Sequence, residues 1–387
     1  TDVVITYRVS NPQAGLYFIK PDRHYPRKKV QLWTHAETEE ARYWFPCFDA
    51  PHDKATTEMI VSVPKNFFAL SNGALLSVNE RGPKKTFNWR QAVAHSPYLV
   101  TLVAGKFSEI ADEWSGIPIQ YYCEPGREED TRRAFGKTPK MVKFFSESIG
   151  VKYPYEKYAQ IAVSDFIMGG MEHTTATTQT DRVLMDARAY PEFTADWLVS
   201  HELAHQWFGD LLTCKEWSHA WLNESFATYF EALFTEHDLG QDEFEYEMAD
   251  KLRLYLDEDR KVYRRPIVTN MYRHPDDLFD RHLYEKGSLV LHMLRRDLGD
   301  NLFWKSIRRY VETFQGRAVE TNDLIAAIQD ATGRNMRKFF DQWVYGPGHP
   351  DYTVHYWWDD KKRRAHVRVS QKPVDGGKYF HVRMPIE

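Results

Sequence analysis

The stretch HELAHQWFGD, residues 201–210, places two histidines four positions apart, with a glutamate directly after the first. In an α-helix, residues four apart lie on one face, about 6 Å apart along the axis, so His201 and His205 can direct both imidazoles at one ion. Glu202 is rotated by about 100° from His201, which suits a residue that holds a water molecule better than a third ligand. This HExxH pattern is typical of a zinc site with its own base, although two ordinary helix histidines would give the same letters.

A catalytic zinc site requires a third protein ligand, and the next predicted helix offers a glutamate in its first turn. Glu224, in the stretch WLNESFATY, follows His205 by 19 residues. Glu231 lies seven residues further along the same helical face, where it would hydrogen-bond the second nitrogen of a ligand histidine. Taken alone, Glu224 would be an ordinary glutamate favoured by the helix dipole. Its spacing from HExxH favours a metal ligand instead.

The composition of the 387 residues is that of a globular protein, with 42% hydrophobic and 27% charged residues. The net charge of −4 is spread along the chain, and the basic run KKRR at 361–364 predicts a hairpin tip, so neither nucleic acid nor a membrane is an expected partner. No apolar stretch reaches the roughly 20 residues that span a bilayer. Cys47, Cys123 and Cys214 are too few for a disulfide framework, which favours a reducing compartment and predicts a cytoplasmic protein.

Periodicity divides the chain into three regions and predicts an α+β multidomain fold. Residues 1–110 contain short alternating runs between turn residues and predict a β-rich N-terminal domain. Residues 111–347 are mostly helical and contain the HExxH stretch, and residues 348–387 resume strand-like alternation, as at the start of a further β-domain. Within the middle region, cap residues and glycines predict helices at 138–150, 193–209, 223–240, 283–299, 300–316 and 321–333.

Several segments, in chain order, resemble the gluzincin aminopeptidases, the family of aminopeptidase N and leukotriene A4 hydrolase. HExxH followed by an 18-residue gap and a glutamate within WLNE is one such feature. GGMEH at 169–173 resembles the exopeptidase motif usually written GAMEN. THAETEEARYWFPCFDAP at 34–51 resembles the segment that ends in F-P-C-x-D-x-P, and LYEKGS at 283–288 resembles the segment of the family's transition-state tyrosine. The resemblance spans nearly the whole chain and implies a thermolysin-like catalytic domain.

The resemblance implies the reaction as well as the metal. One zinc ion per chain, held by His201, His205 and Glu224, would lower the pKa of a bound water molecule toward ~7. Glu202 would take the proton of that water and deliver it to the leaving amine. The resemblance gives Tyr284 the role of donating a hydrogen bond to the oxyanion. A core tyrosine at the start of an amphipathic helix is the other interpretation of this residue.

An aminopeptidase must also bind the amino end of its substrate. Glu172 provides a carboxylate for the α-ammonium, beside glycines that let the backbone approach an extended peptide closely. The resemblance makes Glu37 a second ammonium ligand, although a solvated surface glutamate is an equal alternative, and it places His35 in the pocket for the first side chain. His173 replaces the asparagine of the family, and because an imidazole is bulkier and titrates near neutral pH, the pocket shape and pH optimum stay open. The other motif residues expected at the substrate are Gly169, Gly170 and Met171.

These features predict a zinc-dependent aminopeptidase that removes N-terminal amino acids from peptides with a free amino terminus. Two other classes stay open. One is a zinc hydrolase of different specificity, such as an endopeptidase or an epoxide hydrolase, and the other is a catalytically idle relative that serves as a scaffold. The complete set of catalytic residues argues against the scaffold, and Glu172 favours the aminopeptidase.

The short segment before FPCFDAP predicts an incomplete first domain. Only 44 residues precede Phe45, fewer than the resemblance implies, and the residues after Pro350 are too few to close a β-sandwich. The sequence therefore predicts a catalytic core from a longer polypeptide, or a trimmed family member. In either case the first β-domain would have an unpaired edge, covered by another chain or by missing segments.

Overall fold

The computed structural model describes residues 2–374 and 378–383, and its first region is built from antiparallel strands. The bounds are β1 Gly15–Ile19, β2 Gln31–His35, β3 Ala55–Pro64, β4 Phe68–Ser71, β5 Ala74–Arg81, β6 Lys84–His95 and β7 Leu102–Gly105. They form a sheet of order β1-β2-β7-β4 and a second sheet of order β3-β6-β5. Phe87 and Trp89 of β6 are buried while Arg90 is exposed, which is the alternation of a sheet with one face on the core.

A five-stranded sheet opens the second region. Its strands are β8 Ser108–Trp114, β9 Ile117–Cys123, β10 Tyr158–Val163, β11 Gly170–Met171 and β12 Ala176–Thr180, in the order β11-β12-β10-β9-β8. Because β8 pairs with β9 and not with the first region, the expected boundary at residue 110 falls inside a strand of this sheet. The position of the boundary between the two domains stays a prediction. The order also leaves β11 at the edge of the sheet.

Helices make up most of the remaining second region, so the expected α+β architecture, a β-rich region followed by a helical catalytic region, is confirmed. The helix bounds are α1 Glu128–Phe135, α2 Thr138–Ile149, α3 Asp196–Ala204, α4 Trp221–Leu239, α5 Gln241–Lys261, α6 Gly287–Leu298, α7 Asp300–Phe314, α8 Thr321–Thr332 and α9 Arg337–Trp343. A short parallel pair, β13 Thr213–Cys214 and β14 Ala318–Val319, joins the loop after α3 to the segment before α8. Helix α4 is buried from Trp221 to Phe234, which makes it the central element of this region.

Two predicted helices differ by more than two residues from their predicted extents, each for a local reason, and one long helix lies where none was predicted. The helix expected at 193–209 is α3, which ends at Ala204. The amides of Gln206 and Trp207 bond to carbonyl oxygens three residues back, and the chain then turns at Gly209, where φ is +135°. The helix expected at 283–299 begins instead as a π-helical turn over His282–Lys286 and continues as α6. Helix α5 was not predicted, although its buried Phe244, Met248 and Tyr255 follow the helical spacing of an amphipathic face.

The third region is a hairpin of β15 Asp351–Asp359 and β16 Arg364–Lys372, which pair antiparallel without a register shift. The tip of the hairpin lies at the basic run 361–364, where the sequence predicted a hairpin tip. The strand expected near the end of the chain does not form over residues 379–383, and its remainder lies outside the described residues. Among the helices that the structure describes, none has the length and apolar composition needed to cross a bilayer.

Candidate active site

The two histidines of HELAHQWFGD lie at the C-terminal end of α3 and face a glutamate of α4. Nε2 of His201 lies 3.1 Å from Nε2 of His205. Oε2 of Glu224 lies 3.5 Å from the first of these nitrogens and 3.3 Å from the second. The donor atoms of a tetrahedral zinc ion, with bonds of about 2.0–2.1 Å, lie roughly 3.3 Å apart. The three side chains therefore have the spacing that a zinc ion requires.

The other ring nitrogens of the histidines fix which tautomer is present. Nδ1 of His201 lies 3.0 Å from Oε2 of Glu231, and Nδ1 of His205 lies 2.9 Å from the carbonyl oxygen of Phe208. A carboxylate and a carbonyl can only accept, so each Nδ1 carries a proton and donates it. Both Nε2 lone pairs then point toward each other and toward Glu224, an arrangement that repels unless a cation lies between them. The donor set fits a zinc ion by its chemistry as well as its spacing.

The electrostatics of these ligands favour positive charge at the same point. Burial alone would lower the pKa of His201, but hydrogen bonds with Glu224 and Glu231 raise it to about 9. Burial would raise the pKa of Glu224, but His205 and His201 lower it to about 2. Glu224 is thus an anion beside two imidazoles that attract protons, which is the charge distribution of a cation-binding site.

Glu231 is itself held by a residue that the sequence did not single out. Nζ of Lys251, on α5, donates to Oε1 of Glu231 at 2.6 Å and lies 3.1 Å from Oε1 of Glu247. Burial would raise the pKa of Glu231, but Lys251 and His201 lower it to about 2. Because α5 was not predicted, no pattern indicated that a lysine 46 residues after His205 would hold the carboxylate beside a candidate metal ligand. Glu231 lies where the sequence predicted it, against the free nitrogen of His201.

The carboxyl group of Glu202 lies against Gly170 in the edge strand β11. Its side chain is buried, and its Oε2 has no hydrogen-bond partner within the described part of the chain. A Cβ built on Gly170 would overlap the Glu202 carboxyl group, so glycine at that position is a steric requirement. Burial, together with the charge of Glu172, raises the pKa of Glu202 to about 8 against the opposing effect of the two histidines. A carboxyl group of raised pKa is suited to accept and return a proton near neutral pH.

Two further carboxylates lie close to Glu224. Ligand atoms of Glu37, Glu172 and Glu224 all lie within 4.8 Å of one another. Oε1 of Glu37 and Oε1 of Glu172 are buried and accept no hydrogen bond from any described residue. Burial and the neighbouring glutamates raise the pKa of Glu37, and burial raises that of Glu172. Clustered carboxylates of this kind are stabilised by a cation that donates several hydrogen bonds, such as an ammonium group.

Tyr284 occupies the middle of the π-helical turn and faces the same carboxylates. Its ring centroid lies 6.2 Å from that of His201. Burial and the charges of Glu224 and Glu37 raise its pKa well above the usual value, so the phenol keeps its proton and remains a donor. The turn is fastened to α4 by Ser225, whose Oγ donates to the carbonyl oxygen of Leu283 at 2.5 Å. Short π-helical turns of this kind are frequent at functional sites.

Comparison with known proteins agrees with this geometry. Residues 133–343 match the family described as the Peptidase family M1 domain, and residues 2–99 match the Peptidase M1 N-terminal domain. The chain belongs to peptidase family M1. The resemblance to the gluzincin aminopeptidases is thereby confirmed.

Named relatives of the M1 chain are aminopeptidases. The chain is 33% identical over 353 residues to Aminopeptidase M1 of Arabidopsis thaliana, covering 88% of this chain and 40% of the relative. It is 31% identical over 374 residues to the Puromycin-sensitive aminopeptidase of Caenorhabditis elegans, covering 90% of this chain and 38% of the relative. It is 31% identical over 329 residues to Probable aminopeptidase 2 of Sulfurisphaera tokodaii, covering 82% of this chain and 42% of the relative. The M1 chain therefore spans about 40% of the length of the curated relatives it matches.

The histidine that departs from the family motif lies deeper than the sequence suggested. The His173 side chain is fully buried, and its Nδ1 lies 3.0 Å from Oγ1 of Thr178 on β12. Burial lowers the pKa of His173 well below its usual value. Because the sheet encloses the ring, burial favours the neutral imidazole, and the effect of His173 on the pocket shape and the pH optimum stays open. His35 is also buried, with its ring edge packed against Phe166 and its pKa lowered by burial to about 4.

An open cavity of about 760 Å³ adjoins the M1 site on the side of Tyr284. The loop between α5 and the π-helical turn forms much of its wall, including Tyr272, Arg273 and Phe279. Oγ1 of Thr38, directly after Glu37, donates to Oδ1 of Asp276 in the same loop at 2.8 Å. Sequence reasoning missed this wall because the loop has no periodic pattern. A volume of this size is within the range of ligand pockets in proteins.

Proposed function

We propose that the chain is the catalytic part of a zinc-dependent aminopeptidase that removes single residues from the free amino terminus of peptides. The observation that carries the proposal is the pair of adjoining sites. Glu224 belongs to both: it is one of three residues whose donor atoms have the spacing of a zinc centre, and it is part of a carboxylate cluster suited to an ammonium group. An ammonium group held next to a zinc ion places the first peptide bond of a substrate at the metal.

His201, His205 and Glu224 would hold the zinc ion in this proposal. Zinc there would supply a Lewis acid for the substrate carbonyl and a water molecule of lowered pKa. Glu231 and the Phe208 carbonyl keep each imidazole in the tautomer whose Nε2 can coordinate. The sequence prediction of one zinc ion per chain is retained as part of the proposal.

Glu202 is the proton carrier. Its carboxylate accepts a proton from the attacking water molecule and then delivers it to the nitrogen of the leaving peptide, so the group ends each turnover as it began. Gly170 leaves the space in which this carboxyl group lies. Tyr284 donates its phenolic hydrogen to the oxygen that becomes negative as the carbonyl carbon becomes tetrahedral.

Glu172 and Glu37 bind the α-ammonium of the substrate. The substrate backbone lies along Gly169–Met171 and is held as an additional strand at the edge of the sheet, because β11 occupies that edge. His35 lines the pocket of the first side chain, and His173 supports the segment from behind with its neutral ring. In this proposal the first residue of the substrate lies between the carboxylate cluster and the metal, so the enzyme cleaves after that residue.

The regions around the catalytic core are proposals as well. We assign residues up to the β7–β8 segment to an N-terminal domain, the residues from there to 347 to the catalytic domain, and residues 348–387 to a further β-rich region. An edge of the first region would be covered by another chain or by segments of a longer polypeptide. All three cysteines are free thiols, in keeping with a reducing compartment, and a cytoplasmic location stays a prediction.

The test compares a peptide with its N-acetylated form, using protein loaded with one equivalent of zinc. We expect stepwise loss of residues from the free peptide and no cleavage of the acetylated one. Glu172→Gln should raise KM for the free peptide by about 10–100-fold, since a hydrogen bond to a charged group contributes about 1.5–3 kcal/mol. Cleavage of the acetylated peptide at internal bonds would instead identify an endopeptidase. Absence of any hydrolysis by the zinc-loaded protein would favour the scaffold or the epoxide hydrolase.

A further inference from the structure

Gln206, directly after His205, connects the end of α3 to residues 172–175, which we call the ammonium segment. Gln206 is fully buried, and its carboxamide contacts two backbone groups that lie three residues apart. Nε2 donates to the carbonyl oxygen of Glu172 at 3.0 Å, and Oε1 accepts from the amide of Thr175 at 2.9 Å. The hydroxyl of Tyr153 lies 3.3 Å from Oε1 and 2.8 Å from the carbonyl oxygen of Lys157, and its single hydrogen is shared between these two acceptors. The Thr175 amide can only donate to the Gln206 oxygen and the Glu172 carbonyl can only accept from the nitrogen, so one amide orientation satisfies both backbone contacts.

The turn that Gln206 spans has an uncommon backbone. Thr175 has a φ of +64°, a conformation that β-branched residues rarely adopt. The amide of Ala176 bonds to the carbonyl oxygen of His173 at 2.9 Å and closes the turn. A strained residue persists only where its surroundings determine its conformation, and such residues concentrate at functional sites. The strain at Thr175 therefore indicates a segment held in place by its neighbours.

Groups from two other elements hold the opposite side of this turn. Nδ2 of Asn72 donates to the carbonyl oxygen of Thr174 at 2.8 Å. The amide of Gly73 donates to Oγ1 of Thr175 at 2.7 Å, and Nζ of Lys157 donates to the Thr175 carbonyl oxygen at 2.9 Å. These contacts fix the turn to the first region and to the sheet. Of the contacts named, only those of Gln206 fix it to the segment directly after α3.

We propose that Gln206 is a positioning residue that sets the distance between the ammonium-binding carboxylate of Glu172 and the metal ligands of α3. This inference rests on the proposed function, because it takes Glu172 to bind the ammonium. Gln206 contacts neither the substrate nor the metal in this proposal. It acts through the backbone of Glu172, whose Oε1 lies 3.8 Å from Nδ1 of His205. We call the two backbone hydrogen bonds of Gln206 the clamp, and the Glu172 carboxylate the ammonium receptor. Loss of the clamp should displace the ammonium receptor, while His201 and His205, which are held by Glu231 and Phe208, stay in position.

Two variants of Gln206 test the clamp in different ways. Gln206→Glu replaces the donor nitrogen with an oxygen, so it removes the bond to the Glu172 carbonyl and keeps an acceptor for Thr175 and Tyr153. Gln206→Met has nearly the same length without any polar group. Both should raise KM for an aminoacyl fluorogenic substrate at least about tenfold with kcat within about threefold, because small misplacement of a binding group has large effects. Zinc content should stay at one ion per chain.

Tyr153→Phe is the matched control, because it removes a partner of the same Oε1 and leaves both bonds from Gln206 to the ammonium segment. We expect its KM to stay within about twofold of the parent value. A KM within twofold of the parent in a folded, zinc-loaded Gln206→Glu protein would overturn the proposal. Loss of zinc in either Gln206 variant would overturn it too, because the residue would then support the metal rather than the ammonium receptor.

Hydrogen exchange provides a measurement that does not depend on turnover. In the full chain, with and without zinc, the Thr175 amide should exchange at least about tenfold faster in Gln206→Met than in the parent, because its acceptor is gone. Unchanged exchange would contradict the clamp even if KM rose. If Gln206→Met does not fold, Gln206→Glu still decides the question through KM. A parent protein without aminopeptidase activity would contradict the proposed function, while the exchange data would still test the clamp.

Discussion

The metal side and the ammonium side of the site are built by different means. His201, His205 and Glu224 come from the adjoining helices α3 and α4, and contacts within the second region orient them. Glu172 follows an edge strand of two residues, and Glu37 comes from the first region, directly after β2. The metal side thus depends on regular helices, whereas the ammonium side depends on irregular backbone held between two regions.

This difference separates what each half of the site requires in order to form. In the proposed function, zinc binding depends on the packing of α3, α4 and α5 and on the Phe208 carbonyl after α3. Binding of the substrate ammonium would also depend on the first region, which supplies Glu37 and holds the turn after Glu172 through Asn72 and Gly73. Damage to the first region should therefore weaken recognition of the amino terminus before it weakens metal binding.

The largest expected effect comes from the proton carrier, which lies on the metal helix but is not a ligand. Glu202→Gln keeps the size of the side chain and removes its ability to accept a proton. We expect kcat to fall by at least about 10³-fold, within the 10²–10⁴-fold contribution of a general base, while zinc content is unchanged. Elemental analysis and initial rates would measure the two quantities. Glu192→Gln, at an exposed position before α3, should retain the parent rate. Activity within tenfold of the parent would refute the assigned role.

A smaller effect is expected from the residue that faces both halves of the site. Tyr284→Phe removes a hydroxyl that is needed when the oxyanion forms, so kcat should fall about 10²-fold with little change in KM. Steady-state kinetics on the zinc-loaded protein would separate these parameters. Tyr246→Phe, on the exposed face of α5, is the control. A change confined to KM would assign Tyr284 to substrate binding instead.

The same contrast explains which features the sequence could predict. The HExxH spacing and the position of Glu231 seven residues after Glu224 follow from helical periodicity, and the structure has these side chains converging on one point. The resemblance, rather than any periodic pattern, indicated Glu37 and Tyr284. No pattern indicated Gln206 or Lys251, because their contacts depend on how distant segments pack. The enclosure of His173 was missed for the same reason, since burial by β12 is a tertiary property.

The smallest expected effect concerns the support of the metal side by α5. Glu231→Gln keeps an acceptor for the Nδ1 proton of His201 but removes the negative charge that strengthens this nitrogen ligand. Zinc affinity should fall about tenfold, at the lower end of the 10–100-fold losses typical of residues that orient metal ligands. At saturating zinc, kcat should stay within about threefold of the parent. Competition with a chelator of known affinity would measure the dissociation constant.

Glu247→Gln is the matched control for this last prediction, because Glu247 binds the same Lys251 and has no contact with His201. If the charge of Glu231 acts directly on the imidazole, the control should keep a zinc dissociation constant within about twofold of the parent. Equal losses in the two variants would mean that zinc affinity responds to the packing of α5 rather than to the carboxylate beside His201. The metal side would then depend on distant packing as much as the ammonium side does, and the distinction between the two halves of the site would fail.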